Sequence, residues 1–487
     1  MTSPDLLSGC SILIDGTWIK SSNTYERFDP SNLSRSTGKF SLAQSEHVTL
    51  AYEKAAVAQR KWSGLTAINR AEVLRKIADL LEAESEEAAK RLTLDMGKAI
   101  RDARGEVLRS VAILRYYSGE LTQPSGETYP SADPSTFLMT LEEPLGVVCV
   151  ITPWNFPFAI PVWKLAPSIA FGNTVVWKPA DAATGSAVFL ANLFTRAGLP
   201  PGVLNLITGK GSTLSASLTG NEYLSAISFT GSSAVGNQIR HAVADRNVKV
   251  QLELGGKNPA IVLTDADLDD AATQIIRGAM LSTGQRCTAT SRVYIERGVF
   301  AEFTELLKLK NESLTVGDPF DEKTDVGPLG SVEQRTNVFR YIEIAISEKV
   351  KFITSVPLTT NDCFIAPTII TDVDSQSVLV KEEIFGPILI LQEVENLSQA
   401  IDAANDTEFG LSSSLFTKDI ASAMTFIKNT KSGIVHINRE TAGVEPHVPF
   451  GGIKGSSNMH REQGKAARGF FTTTKTVYIR SNQNKAR

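Results

Sequence analysis

The chain has 487 residues, of which 42% are apolar and 21% charged; this is an ordinary soluble composition, and the length suggests about three domains. A net charge of −4, a pI near 5.9 and no long Lys/Arg cluster exclude a general nucleic-acid binder. No apolar run approaches the roughly 20 residues a membrane helix needs, and the first residues carry no basic region followed by an apolar core, so neither a membrane anchor nor a secretory signal is expected.

In chain order, residues 12–30 predict a hairpin about Asp15-Gly16, a strong turn pair. From His47 to about Gly119 apolar residues recur at three- and four-residue spacing; Ala71, Val73, Leu74, Ile77, Leu80 and Leu81 form one stripe, which predicts a helical layer packed on a sheet. Residues 121–146 are rich in Pro, Ser and Thr and alternate from Thr136, as a linker or a crossing arm would. From Val147 strand-like runs (VVCVITPW, NTVVWKPA, VLNLITG, SAISFTGSS, VKVQLELGG) alternate with helical ones, which predicts right-handed crossovers, a parallel sheet and a ligand at the carboxyl ends of its strands. After Gly256 a second α/β unit runs to about residue 450. The final FFTTTKTVYIR alternates and could pair with the strand-like part of 121–146.

A GxGxxG fingerprint is not clearly present: Gly209-Lys210-Gly211 follows a strand but lacks the third glycine. FTGSSAVG joins a strand end to a helix start, where backbone N–H groups can meet a phosphate, although any strand-to-helix turn reads similarly.

Four cysteines (Cys10, Cys149, Cys287, Cys363) form neither a disulfide framework nor metal-ligand spacing, and five scattered histidines show no HExxH pattern; no metal is expected, and a reducing cytoplasmic setting is. Cys10, Cys149 and Cys363 read as small buried hydrophobes. Cys287 lies in LSTGQRCTAT, with Gly284 permitting tight backbone geometry; position alone leaves nucleophile and buried thiol both open. Glu253 ends an apolar strand beside Gly255 and Gly256, where desolvation would raise its pKa and suit a base, or where Lys257 could pair with it. Asn155 in PWNFP could donate to an oxyanion or simply form a turn.

PWNFP (153–157), KPA (178–180), FTGS (229–232), LELGGKNP (252–259), GQRCT (284–288), EEIFGP (382–387) and PFGGIKGSS (449–457) occur in order along nearly the whole chain. Together they resemble the NAD(P)-dependent aldehyde dehydrogenase superfamily. The resemblance implies an α/β fold: a Rossmann-type NAD(P)-binding domain (1–120 and 142–254), an α/β catalytic domain (255–450) and a β oligomerisation arm (121–141 and 468–487) that makes a homodimer or homotetramer. It implies that Cys287 attacks an aldehyde, that Asn155 and the Cys287 backbone N–H hold the oxyanion, and that Glu253 activates the hydrolytic water, with Lys164 near them. For the cofactor it implies Thr152, Trp154, Lys178, Asp181, Gly211, Gly231, Ser232, Gly255, Glu383 and Phe385. Asp181 stands where a longer acid would repel a 2′-phosphate, so NAD is favoured and NADP remains usable.

For the substrate, Arg286 reads either as a structural arginine or as a fork for a distal anion, with Trp163 and Phe156 lining the pocket and His447 near its mouth. Succinate-semialdehyde dehydrogenases carry an arginine where this chain has Trp163. AILRYYSGE, IPVWKLAP, GQRCTATSRV, ETAGVE and SSNMHREQG are more similar to the α-ketoglutarate-semialdehyde (2,5-dioxovalerate) branch. Alternatives are a broad-range or other short-chain aldehyde dehydrogenase, a CoA-acylating variant and an idle binding protein; the intact Glu253 speaks for water as the acyl acceptor, and the intact Cys287, Glu253 and Asn155 speak against an idle site.

Overall fold

The computed structural model describes residues 6–357 and 362–480. Strands β1 (Ile12–Ile14) and β2 (Thr17–Ile19) flank the Asp15-Gly16 turn. Both turn residues have positive φ, 51° and 76°, as a two-residue hairpin with right-handed strand twist requires. The rest of the segment expected as one hairpin belongs to a second: β3 (Thr24–Asp29) pairs with β4 (Asn32–Ser41). The alternation runs through both, so the sequence did not mark where pairing partners change.

The helical stretch forms α1 (Ser45–Ser63), α2 (Ala67–Ala83), α3 (Ser85–Met96) and α4 (Ile100–Glu120). Thr66 caps α2 by accepting from the Asn69 N–H. Leu74, Ile77 and Leu81 of α2 are buried in one core with Val148, Val150 and Trp177 of the sheet beneath.

After β5 (Thr128–Tyr129) and β6 (Thr136–Pro144) come the five parallel strands β7 (Val147–Thr152), β8 (Thr174–Pro179), β9 (Leu204–Leu206), β10 (Leu224–Thr230) and β11 (Lys249–Glu253). Helices α5 (Ala159–Ala170), α6 (Thr184–Arg196), α7 (Gly211–Gly220) and α8 (Ser233–Ala242) connect them. The sheet order is β11-β10-β7-β8-β9-β1-β2. Strand order therefore reverses between β7 and β10, which opens a crevice at their carboxyl ends. Both faces of β7 are covered: Val148 and Val150 enter one core, Val147 and Cys149 the other. Burial holds the Cys149 thiol up at about 12, as befits a packed hydrophobe.

The second sheet contains β12 (Asn258–Val262), β13 (Thr290–Glu296), β14 (Lys351–Phe352), β15 (Thr368–Thr371), β16 (Ile388–Val394), β17 (Ser412–Phe416) and β18 (Ile434–Ile437), in the order β14-β15-β16-β13-β12-β17-β18. The helix α9 (Leu268–Met280) makes its first crossover and buries Ala272, Ile275 and Ile276 against Ala260 and Val262. A third sheet joins the ends of the expected arm: β19 (Thr472–Arg480) pairs with β6 from Thr472↔Pro144 to Arg480↔Thr136. Phe470 and Phe471, read as the start of that strand, instead lie buried in a short helix (Ala466–Phe471); their rings anchor the arm, so helical packing overrides the alternation. Residues 481–487 of the expected arm lie outside the described residues.

Helix α4 bridges the two large sheets. Arg101 pairs with Asp325 at 2.6 Å and Arg104 with Glu322 at 2.7 Å, so one face of α4 roofs the cleft between them. Among the described residues no helix is long and apolar enough to cross a membrane, and no His/Cys/Asp/Glu cluster could hold a metal.

Candidate active site

The segment before Cys287 is an unusual turn. Ser282, Thr283 and Gly284 all have left-handed φ, 52°, 56° and 65°, a conformation that non-glycine residues hold only when their surroundings enforce it. The enforcement is visible. Asp102 of α4 accepts from the Ser282 N–H at 3.0 Å and from its hydroxyl at 2.9 Å. The Thr283 hydroxyl donates to Gly327 O at 3.0 Å. A Cβ on Gly284 would lie 2.4 Å from Gly386 O, so only glycine fits. Beyond the turn, Asn258 Nδ2 donates to Cys287 O at 2.8 Å and to Ala289 O at 2.9 Å, and the Thr441 hydroxyl donates to Thr288 O.

This scaffold sets Cys287 where two cavities meet. The first is lined by Trp154, Asn155, Gly231, Ser232, Gly255, Glu383 and Phe385 together with Cys287. The second is lined by Arg101, Asp102, Arg109, Phe156, Trp163, Arg286 and Phe450, again with Cys287. Asn155 Nδ2 donates to Gln285 O at 2.9 Å. An amide nitrogen carries two hydrogens, which leaves one for a ligand oxygen.

Burial, followed by the nearby Glu383 and Glu253 carboxyls, pushes the Cys287 thiol up to about 12. The resting sulfur is therefore a thiol and needs a base. Glu253 is buried, and burial followed by Glu462 raises its carboxyl well above the usual range. Its Oε2 accepts from the Ser457 hydroxyl at 2.6 Å, while Oε1 has no partner. Glu253 lines neither cavity, so acting on Cys287 requires a rotamer change or a bridging water. The alternative pairing of Glu253 with Lys257 does not form: Lys257 Nζ is buried without a partner, and burial draws it down to about 7.

Lys164 lines neither cavity. It is buried behind Glu253, paired with Glu462 and donating to the Ser228 hydroxyl at 3.0 Å. Glu462 was not singled out in the sequence: its only signal is a carboxylate in SSNMHREQG, far along the chain from its partners. Asp102, Asn258 and Thr441 went unread for the same reason.

On the cofactor side, Glu383 accepts from the Gly256 N–H at 2.9 Å, and a Cβ on Gly255 would come within 2.4 Å of its Oε2. The glycine pair is thus the seat of this carboxylate, which burial lifts to about 7. Trp154 and Phe385 meet edge to face at 5.5 Å. Ser232 caps α8, and the Thr230 hydroxyl beside it is buried without a partner. A third, mainly apolar cavity between α7 and α8 is lined by Lys178, Gly211, Leu218, Val235 and Ile239. Lys178 Nζ donates to Pro179 O at 2.6 Å and pairs with Asp181 at 3.4 Å. The Thr152 hydroxyl accepts from Trp177 Nε1 at 2.9 Å and its carbonyl from the Ala180 N–H, and the hydroxyl keeps its own hydrogen to donate. His447 is exposed and lines neither cavity at Cys287, while Val444 and Phe450 of the same segment line the second. Five residues of α4, the arginines Arg101 and Arg109 with Asp102, Gly105 and Glu106, stand on the second cavity's wall.

Comparison with known proteins gives a consistent picture. Residues 18–477 match the model of the aldehyde dehydrogenase family. The chain is 42% identical over 474 residues to an alpha-ketoglutaric semialdehyde dehydrogenase of Bacillus subtilis, covering 96% of this chain and 97% of that one. It superposes with a TM-score of 0.94 on a betaine aldehyde dehydrogenase of Staphylococcus aureus in complex with NAD+, at 31% identity over 99% of this chain and 97% of the other. An NADP-dependent enzyme of E. coli fits equally well, at 32% identity over 98% and 99% of the two chains.

Proposed function

The chain belongs to the aldehyde dehydrogenase family and is an NAD(P)-dependent aldehyde dehydrogenase; from that premise we propose that it oxidises a short semialdehyde bearing a distal anionic group, α-ketoglutarate semialdehyde first among them. The observation that carries the reading is the second cavity, which sets arginine side chains around the approach to Cys287. The naming of the Bacillus subtilis relative supports it.

The proposed roles are those of the family, set on this geometry. Cys287 loses its proton to Glu253 and its sulfur bonds to the aldehyde carbon, turning the carbonyl oxygen into an oxyanion. The free hydrogen of Asn155 Nδ2 and the Cys287 N–H stabilise that oxygen. The chemistry that bound NAD(P)+ would supply here is acceptance of hydride from this carbon, leaving the acyl group on the sulfur. Once Glu253 has passed the first proton to solvent, water adds its hydroxyl to the thioester carbon and gives a proton to Glu253; that proton goes on to the departing sulfur, releasing the acid and restoring the thiol. Lys164 and Glu462 sit behind Glu253 and set its electrostatic surroundings.

The residues fit a dinucleotide. The cavity between α7 and α8 is apolar enough for a base, and Lys178 stands at its wall. Gly231 and Ser232 open the N-terminus of α8 for a pyrophosphate, and Thr230 offers a buried hydroxyl without a partner. Glu383 on its glycine seat suits a ribose, and Trp154 and Phe385 frame the reacting end. Asp181 beside Lys178 favours NAD and leaves NADP usable. The three-stranded sheet leaves Phe137, Tyr478 and Ile479 exposed, and its edge suits pairing between chains in a homodimer or a dimer of dimers; a monomer by light scattering at micromolar concentration refutes that arrangement.

The test is kcat/KM at 340 nm over semialdehydes of differing length and over neutral aldehydes, with NAD and with NADP. Semialdehydes are expected to lead. Neutral aldehydes of matched length performing as well overturns the substrate reading.

A further inference from the structure

Building on the reading of the second cavity as a semialdehyde site, we propose that Arg109 is the principal anchor for the substrate's distal carboxylate, with Arg286 held in a supporting, already neutralised position.

Three arginines line this cavity, and they differ in what they are free to do. Arg101 is committed to Asp325 at 2.6 Å and to Thr324 O at 3.1 Å. Arg286 lies between two acids, with Asp102 at 3.7 Å and Glu440 at 3.8 Å, and its Nη2 donates to the Ser282 hydroxyl at 3.3 Å. Its charge is offset before any ligand arrives. Arg109 has neither constraint. Its one hydrogen bond runs from Nη2 to Gln463 Oε1 at 3.4 Å, the weak end of the range. Its Nε is buried without a partner, and among the described residues no carboxylate lies within ion-pair distance of it. Of the acids that act on it from farther away, Glu106 is engaged by Lys98 and by the Phe158 and Ala159 amides, and Glu445 is exposed.

A guanidinium withdrawn from water without a counter-charge is costly, and a ligand carboxylate taken bidentately offsets that cost. The position suits the purpose. Asp102, Gly105 and Arg109 recur along one face of α4, and a Cβ at Gly105 would touch nothing, so that face is open where the substrate chain would lie. The guanidinium carbon of Arg109 lies 5.9 Å from the Trp163 ring centroid, and Trp163 packs on Phe450 at 5.4 Å. Both rings line the same cavity as Arg109 and Cys287. Arg109 and Cys287 are close enough to influence each other's charge. A chain with an aldehyde at one end and a carboxylate at the other would set its two ends at these two residues, which line one cavity.

The experiment compares kcat/KM for succinate semialdehyde and for butanal, which has the same number of carbons and no charge, in wild type, R109M, R109K and R286M. Fluorescence titration with NADH confirms that each variant retains a folded cofactor site. R109M is expected to lower the succinate semialdehyde to butanal ratio by about 10- to 100-fold, mainly through KM, and R286M to lower it less. Equal losses on both substrates in R109M, or a larger ratio change in R286M, overturn the assignment. Should R109M fail to fold, R109K decides: loss of the two-pronged grip lowers the ratio several-fold, and an unchanged ratio overturns the proposal. A wild type that itself does not favour succinate semialdehyde over butanal refutes the semialdehyde reading, a result distinct from any behaviour of the variants.

Discussion

The cavity on one side of Cys287 has a stretch of backbone and small residues, Thr230, Gly231, Ser232 and Gly255, with Glu383 resting on the glycine pair and the Trp154 and Phe385 rings completing the lining. The cavity on the other side is walled by long side chains: Arg101, Asp102, Glu106, Arg109 and Arg286, closed by Trp163 and Phe450. A wall of glycines and helix N–H groups tolerates little change, because each added atom collides. A Cβ at Gly255 meets Glu383 at 2.4 Å, and one at Gly231 meets the Phe229 ring at 2.5 Å. A wall of side chains can be rewritten residue by residue. The first suits a ligand shared by a whole family, the second a substrate that differs among its members.

The contrast can be broken at the point both cavities share. C287A is expected to abolish turnover by at least about a thousandfold for every aldehyde, while NADH binding by fluorescence titration persists. Substrate-selective residual activity would show that the two sides do not converge on this sulfur. Next in size, N155A is expected to lower kcat by about 10²–10³-fold, equally for charged and neutral aldehydes. A loss confined to semialdehydes would place Asn155 on the substrate wall instead.

The pH dependence sharpens the same point. The thiol is held at about 12, chiefly by burial, and the Glu253 carboxyl is also held above its usual range. Both groups reach their reactive, deprotonated forms only as pH rises. Alkylation of Cys287 by iodoacetamide should therefore accelerate steadily from pH 7 to pH 10 without the cofactor, approaching tenfold per unit; a plateau near neutrality would contradict the shift. The smallest effect is expected at the far end of the cofactor side. D181N should move the NADP to NAD ratio of kcat/KM toward NADP by about three- to tenfold at low salt and less at high salt. No change would remove Asp181 from cofactor selection.

The two sides were unequally legible in the sequence. The parallel strands, the Asp15-Gly16 turn and the glycine-rich strand ends could be read locally, because strand periodicity and turn chemistry are local properties. Glu253, Asn155 and Cys287 each stand in a short run that alone left a chemical and a structural role open; the ordered motifs and the family they resemble carried their roles. Glu462 was not readable, because its partners Lys164 and Glu253 meet it only in the folded chain. Asp102 and Arg109 were not, because on an amphipathic helix an acid or an arginine looks like any solvated face until the opposite wall is known. That the Thr152 hydroxyl answers the Trp177 indole was also unreadable, a demand visible only once β7 and β8 lie side by side.

The bond from Ser282 to Asp102 has a consequence for how this molecule fails. The left-handed turn that presents Cys287 is fastened to a helix whose residues come from the other side of the cleft. Each large sheet can keep its own core while the two drift slightly apart, and secondary structure would register nothing. The sulfur would lose its brace at once. Catalysis is thus a more sensitive gauge of how the two halves are seated than any spectroscopic measure of folding, and on warming the enzyme should fall silent several degrees before it melts.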